Sequence, residues 1–428
     1  MLDPLPAPRR ARLRAFAVCL LGAAVAWAPG PIGAAERLLV SFERPGAVGL
    51  RWGAGVCEPR TTRSFSWVRC NTEGHGEPVF VAAERFPTPH DLRGDFVKIW
   101  VRARQLPRLA GLELRLSSDD FATSYFAFEV PLFADPHFGL LQEGTWIPLT
   151  FSFGGARVVG TPDRAAIDSA GFFFRDAATG PVELSWSELA AQDQASDGRL
   201  SLTFDDGLAA HHRVAAREMA RFGFRGTAYV MPDQIGRAGF MTLAQLHELR
   251  DRYGWEVAAH YDLPLTELRR EELEPTLLGV QGFLRRHGFA EGADHLAFPL
   301  GRQDPGTVLP AVRRRFRTAR LASAGPETIP PADPHRLRVL NVLDSTSPEA
   351  IGAAAGRARA HGEWLILMFH HLVPTPESEL EYGIQTFVRA LERIRASGIR
   401  VRPLGETWRE IETREPAPVP AKPTFPRP

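Results

Sequence analysis

The 428-residue chain carries 51 Lys and Arg against 50 Asp and Glu, a formal charge of +1, and 44% of its residues are hydrophobic. A balance so close to zero, with no long basic run, gives no electrostatic ground for a nucleic-acid partner or an anionic membrane surface. The length and apolar content are enough for more than one core, so two domains are expected.

The N-terminus places arginines at positions 9, 10, 12 and 14 before an apolar stretch from about Ala15 to Ala28, and Gly33, Ala34 and Ala35 follow. This is the layout of a secretory signal peptide over residues 1–35, with cleavage after Ala35 and an exported mature protein in the periplasm or outside the cell. The apolar run is shorter than the ~20 residues a membrane span needs. No stable span is therefore expected after cleavage; an uncleaved anchor and a lipid attachment through Cys19 are the alternatives. Loss of the signal leaves Cys57 and Cys70. In an oxidising compartment they are expected to form one disulfide.

From residue 36 to 190 apolar residues recur with period two. In "DFVKIWVRAR" Val97, Ile99 and Val101 alternate with Lys98, Trp100 and Arg102, and in "GLELRLSS" Leu112, Leu114 and Leu116 alternate with polar neighbours. "SYFAFEV", "WIPLTFSF", "GFFFRDA" and "VELSW" continue the pattern. Such runs predict half-buried antiparallel strands, and an all-β sandwich of jelly-roll type. Trp100, Tyr125 and Trp186 are candidates for stacking on sugar rings, or else they fill the core or cover the neighbouring domain. The sandwich is accordingly read as a carbohydrate-binding domain.

After a linker over 191–198 the rhythm changes. Short apolar runs ("LSLTF", "TAYVM", "WEVAAH", "LILMF") alternate with helical patterns such as Leu273, Leu277, Val280 and Leu284. The segment 199–411 is thus an α/β domain with parallel strands, an open sheet or a barrel. Residues 412–428 read as a proline-rich tail.

In either parallel fold, chemistry gathers at the carboxyl ends of the strands. Asp205 and Asp206 follow "LSLTF", His260 follows "WEVAA", Pro299 to Arg302 follow "HLAF", and His370 and His371 follow "LILMF". Two adjacent aspartates repel, so both ionise near neutral pH only beside a cation, either a metal or an imidazolium. An Asp and a His suit a divalent metal such as zinc with open positions for water. The other aspartate would then take the water's proton and a histidine would protonate a leaving group. His211 and His212 lie in the first helix and read as solvated or structural.

"TFDDG", "WEVAAH", "FPLG" and "LILMFHH", in this order on alternating strands, resemble the motifs of the polysaccharide deacetylases, carbohydrate esterase family 4, built on the NodB homology domain. The resemblance covers roughly Gly198 to Trp408. It implies a distorted, incomplete (β/α) barrel that removes N- or O-acetyl groups from an acetylated polysaccharide with a bound divalent metal, commonly zinc. Carried over by position, Asp205 resembles the general base, Asp206 and His260 resemble metal ligands, and His370 resembles the general acid. The backbone amide of Leu300 matches the group that holds the oxyanion.

Three places depart from the family pattern. Pro264 stands where a second metal histidine, four residues after the first, is usual; Asp262 is the carboxylate closest to that place. It does not reproduce the one-turn spacing without a change of backbone, and a capping role near a turn is its alternative. Ala297 replaces an arginine that orients the catalytic aspartate, and Arg302 is the nearest substitute cation, or an ordinary surface residue. Leu300 replaces a usual tyrosine. Asp344, in "RVLNVLDST", lies near the place of an aspartate that orients the acid histidine, in a pattern too loose to carry the role. The leading expectation is a metal-dependent polysaccharide deacetylase. The alternatives are a glycan-binding protein that keeps the fold without the catalysis, and an esterase or amidase on a smaller substrate.

Overall fold

A computed structural model describes residues 36–40, 48–61, 66–133, 138–195 and 197–413. The expected signal peptide and Cys19, and nearly all of the proline-rich tail, lie outside the described residues.

The N-terminal half is a sandwich of two six-stranded antiparallel sheets. One contains β1 (Glu36–Val40), β3 (Gly55–Thr61), β4 (Ser66–Thr72), β6 (Asp95–Arg104), β9 (Ile147–Phe151) and β12 (Glu183–Asp193). The other contains β2 (Val48–Trp52), β5 (Val79–Ala83), β7 (Leu109–Ser117), β8 (Tyr125–Glu129), β10 (Arg157–Val159) and β11 (Ser169–Asp176). Side chains on alternate strand positions face opposite ways. The predicted inward sets Val97, Ile99, Val101 and Leu112, Leu114, Leu116 are accordingly all buried between the sheets. Trp186 takes the second of its expected places, in the core. It is fully buried on the long central β12, 4.3 Å from Phe172 in a stacked pair, because its position in the alternation faces the second sheet. Cys57 and Cys70 face each other across β3 and β4 and are joined by a disulfide.

The C-terminal half is a parallel barrel. Its strands are β13 (Arg199–Phe204), β14 (Thr227–Val230), β15 (Glu256–Ala259), β16 (His295–Ala297), β17 (Thr318–Ala324), β18 (Leu337–Asn341) and β19 (Trp364–Phe369). β19 pairs with β13 and β13 with β14, so the seven strands close on themselves. This decides between open sheet and barrel. Further along, β20 (His371–Val373) pairs with β21 (Glu381–Gly383), and β22 (Arg400–Val401) pairs in parallel with the start of β13.

Around the barrel lie α1 (Ala216–Ala220), α2 (Leu243–Asp251), α3 (Arg270–Arg286), α4 (Val308–Arg315), α5 (Pro348–Ala360), α6 (Ile384–Ser397) and α7 (Leu404–Glu412). Local chemistry sets their ends. Thr242 and Gln245 cap the start of α2 reciprocally, Ser347 accepts from the Ala350 amide with Pro348 opening α5, and Gly398 ends α6 at φ 68°. Outward-facing Leu200, Leu202 and Phe204 join the main core, while Tyr229, Ala258, Ala297, Ile366 and Met368 form a second cluster in the lumen.

The connection from β17 to β18, residues 325–336, contains no helix. The sandwich covers that side instead. Thr150 on edge strand β9 hydrogen-bonds Thr328 at 2.7 Å, Arg338 donates to the Thr150 carbonyl at 3.1 Å, and Gln192 donates to the Pro330 carbonyl at 3.1 Å. An edge strand that would otherwise offer unpaired backbone groups is thereby partnered.

Candidate active site

Four of the expected residues reach one end of the barrel. The Asp205 amide still belongs to the ladder, donating to the Phe369 carbonyl at 3.0 Å, and its side chain is buried. Asp206 and Gly207 then both take left-handed backbone, φ 72° and 74°. An aspartate tolerates that region better than most residues. At Gly207 a side chain would be strained by φ and would press on Val230 Cγ1 at 3.2 Å. This double reversal separates the two carboxylates: Asp205 points down into the lumen, and Asp206 turns across the mouth toward His260.

His260 follows β15, its amide bonded to the Val230 carbonyl at 3.0 Å. Its buried ring places Nδ1 2.9 Å from the Ala297 carbonyl, which fixes Nδ1 as the donor and leaves Nε2 3.4 Å from Asp206 Oδ1. Burial alone would raise the Asp206 carboxyl, but the His260 hydrogen bond and the neighbouring His260, His370 and His211 charges hold it below its ordinary value.

Asp205 is neutralised by a residue the sequence reading missed. Arg320, fully buried on β17, closes one guanidinium nitrogen on Asp205 Oδ1. Its other terminal nitrogen donates to the Leu321 carbonyl at 3.1 Å, and its guanidinium lies 4.7 Å from the centre of the Tyr229 ring. Burial lowers Arg320 to about 9, so the guanidinium stays charged at neutral pH. The sequence did hold a signal: Arg320 is the one charged residue in the otherwise small and apolar "TARLASA". The cation that the first of the two adjacent aspartates requires is thus a buried arginine, and the second faces the His260 ring.

Arg302 lies elsewhere. It pairs with Glu267 at 3.2 Å, and neither partner is buried. Asp262 is exposed and accepts from Gln234 at 3.0 Å. Among the described residues no group of three or more His, Cys, Asp and Glu is arranged to hold a metal. Asp206 and His260 alone fit as donors for a divalent cation: a carboxylate oxygen faces an imidazole nitrogen whose partner nitrogen is already tied to a carbonyl, the arrangement that orients metal-binding histidines.

His370 follows β19. Burial, opposed by Asp206, lowers its imidazole to about 4, and its Nδ1 is buried with no hydrogen-bond partner among the described residues. Its carbonyl is held by His211 Nε2 at 2.7 Å. His211 is fully buried in a π-helical turn, His211–Ala215, and lies against Phe204, while His212 is bonded to Glu248 at 2.9 Å. Neither histidine is solvated, and His211 positions the candidate acid. His371 is half-exposed, 3.6 Å from Glu381, and Asp344 is exposed. Leu300 has left-handed backbone, φ 54°, in the turn Pro299–Gly301 beyond β16, with 57% of its surface exposed.

No protein-family model matches the sequence, and no curated protein matches it. Solved structures are similar to each half. The CE4 domain of a multidomain xylanase from the hindgut metagenome of Trinervitermes trinervoides is 14% identical, covers 50% of this chain and 91% of its own, and has a TM-score of 0.35. A family 4 acetyl xylan esterase from Clostridium thermocellum, solved with a cobalt ion, is 17% identical over 50% of this chain and 91% of its own, with a TM-score of 0.34. A family 11 carbohydrate-binding module from Clostridium thermocellum, solved with a β-1,3-1,4-mixed-linked tetrasaccharide, is 11% identical over 37% of this chain and 95% of its own, with a TM-score of 0.28. These are likenesses at low identity, and the chemistry of the site rests on the residues described above.

Proposed function

We propose that the protein is an exported, metal-dependent deacetylase acting on N- or O-acetyl groups of a polysaccharide. The observation that carries this reading is the division of labour between Asp205 and Asp206 at one barrel mouth, the first paired with Arg320 and the second facing His260 Nε2. Asp206 and His260 would hold the cation, zinc by the donor chemistry. When bound, it supplies Lewis acidity to the acetyl carbonyl.

The chain's own residues do the rest. Asp205, kept ionised by Arg320, takes a proton from the water that attacks the carbonyl carbon. The Leu300 amide donates to the oxygen as it becomes negative. His370 is neutral at rest. Negative charge growing beside its ring raises the proton affinity of the imidazole, so the ring takes a proton from solvent and delivers it to the departing nitrogen or oxygen, while Asp205 returns the water's proton to solvent. The carbon–nitrogen or carbon–oxygen bond breaks, leaving acetate and a free amine or hydroxyl.

The sandwich supports a glycan partner. Trp52, 45% exposed, Phe173, Phe121 and Tyr125 share one outer face with Arg115, whose guanidinium lies 4.3 Å from the Phe173 ring centre and 4.9 Å from that of Tyr125. Aromatic faces of this kind suit the apolar faces of sugar rings. Tyr125 was among the expected rings; Trp52 and Phe173 were not.

A second reading, a glycan-binding protein without catalysis, is favoured by one observation: no third protein ligand joins Asp206 and His260 among the described residues. Acetate release from acetylated chitin and xylan oligomers by the zinc-loaded protein separates the two readings. Release by the wild type that Asp205→Asn abolishes supports the enzyme; binding without release supports the second reading.

A further inference from the structure

Residues 138–146, the segment that leads into β9, lie along the barrel near the turn that carries Leu300. Three bonds pin it. Ser323 Oγ, on β17 three residues past Arg320, donates to the Phe138 carbonyl. Arg336 donates to the Leu140 carbonyl at 2.5 Å, and Gln142 Nε2 donates to the Gln303 carbonyl at 3.3 Å. The half-buried Phe138 ring packs against the lumen cluster that includes Ala297, Ala322 and Met368. Ala322 also supports the Leu300 turn, since a Cβ on Gly301 would sit 3.0 Å from Ala322 Cβ. Phe138 and the turn Pro299–Gly301 therefore rest on the same end of β17, and Leu300 in that turn is 57% exposed.

We propose that this segment of the sandwich forms one wall of the substrate cleft, and that Phe138 with Leu300 makes a subsite for the apolar face of a sugar ring next to the one losing its acetyl group. The proposal rests on the deacetylase reading and adds to it a residue outside the barrel. Leu300 offers no flat face to a sugar; Phe138, partly exposed, supplies one. The three bonds hold the segment in place, so little ordering entropy is lost when a glycan binds. A binding element built from the other domain also explains why the sandwich is fixed to this side of the barrel through several hydrogen bonds.

Calorimetry on the zinc-loaded full chain, with an N-acetylated chitin oligomer and an O-acetylated xylan oligomer, tests it. Phe138→Ala is expected to bind the preferred oligomer about tenfold more weakly, the loss of one aromatic stacking contact, and Phe138→Tyr to bind it as the wild type does. Leu300→Ala, a change at an exposed side chain that does not threaten folding, is expected to weaken binding in the same direction. Affinities of Phe138→Ala and Leu300→Ala within twofold of the wild type overturn the proposal and leave the deacetylase reading standing. So does a Phe138→Tyr variant as weak as Phe138→Ala, which marks a structural role. A wild-type chain that binds neither oligomer overturns the deacetylase reading, and the subsite with it.

Discussion

Arg320 reaches from the fifth strand of the barrel to Asp205 at the end of the first, so the candidate base and its counter-ion come from opposite stretches of the domain. Both are buried, and removing one leaves the other as an uncompensated charge. Arg320→Met is expected to destabilise the protein by about 3–5 kcal/mol and to lower acetate release by about a hundredfold. Arg320→Lys, which keeps the charge without the fork, is expected to fold and to lose less activity. Placing the cation on the neighbouring strand, in the double variant Ala297→Arg with Arg320→Met, is expected to recover part of both losses. Thermal unfolding and acetate assays on the three variants check this; an Arg320→Met protein as active as the wild type contradicts it.

His211 acts through His370. His211→Phe keeps a ring against Phe204 but removes the donor to the His370 carbonyl. Leaving a buried carbonyl unpaired costs about 1–3 kcal/mol. The expected result is a fall in kcat of about tenfold, with KM and metal content unchanged. A variant with normal kcat would reduce His211 to packing.

Much of this site was legible because strand ends are legible. "TFDDG", "WEVAAH" and "LILMFHH" each close an apolar run, and a parallel fold brings such ends together whatever the loops do. Arg320 was missed because it lies inside a strand, where only the direction of its side chain into the lumen gives it a role. The same limit applies to Trp186. Period two shows that alternate residues share a face, yet not which face meets the other sheet. Asp262 failed to join the others because Pro264 starts a short turn, Leu265–Glu267, in place of the helical turn that a second histidine would need.

Acidity should loosen the fold from within. Burial is the leading cause that lowers His211 and His370 to about 4 and His295 to about 3, against an ordinary 6.5. Between about pH 4 and 6.5 the unfolded chain binds a proton at each that the folded chain refuses, so stability falls as pH falls. Glu256 opposes this. Burial raises it to about 7 from 4.5, so the folded state keeps a proton there that the unfolded chain has released. Three histidines against one carboxyl leave a net two protons, roughly 3 kcal/mol per pH unit at most. Urea midpoints at neutral pH and near pH 5 check the direction. Glu256→Gln, which removes the opposing group, is expected to steepen the loss; a flat profile contradicts the assignment.

The disulfide between Cys57 and Cys70 spans 13 residues across paired strands of the sandwich. Replacing both cysteines by serine is expected to cost about 2–3 kcal/mol without changing metal content. Calorimetric unfolding and metal analysis together check it, and a loss of metal would place the sandwich's stability in control of the site.

The central claim is that Asp206 and His260 suffice to hold a cation beside an Asp205 that Arg320 keeps charged. Metal content by mass spectrometry on the purified wild type and Asp206→Ala after exposure to zinc, with acetate release measured alongside, tests it most directly. The account predicts about one zinc per wild-type chain, as for a single site, and the loss of zinc and acetate release together in the variant. A wild-type chain that holds no metal and frees no acetate from any acetylated glycan would contradict it.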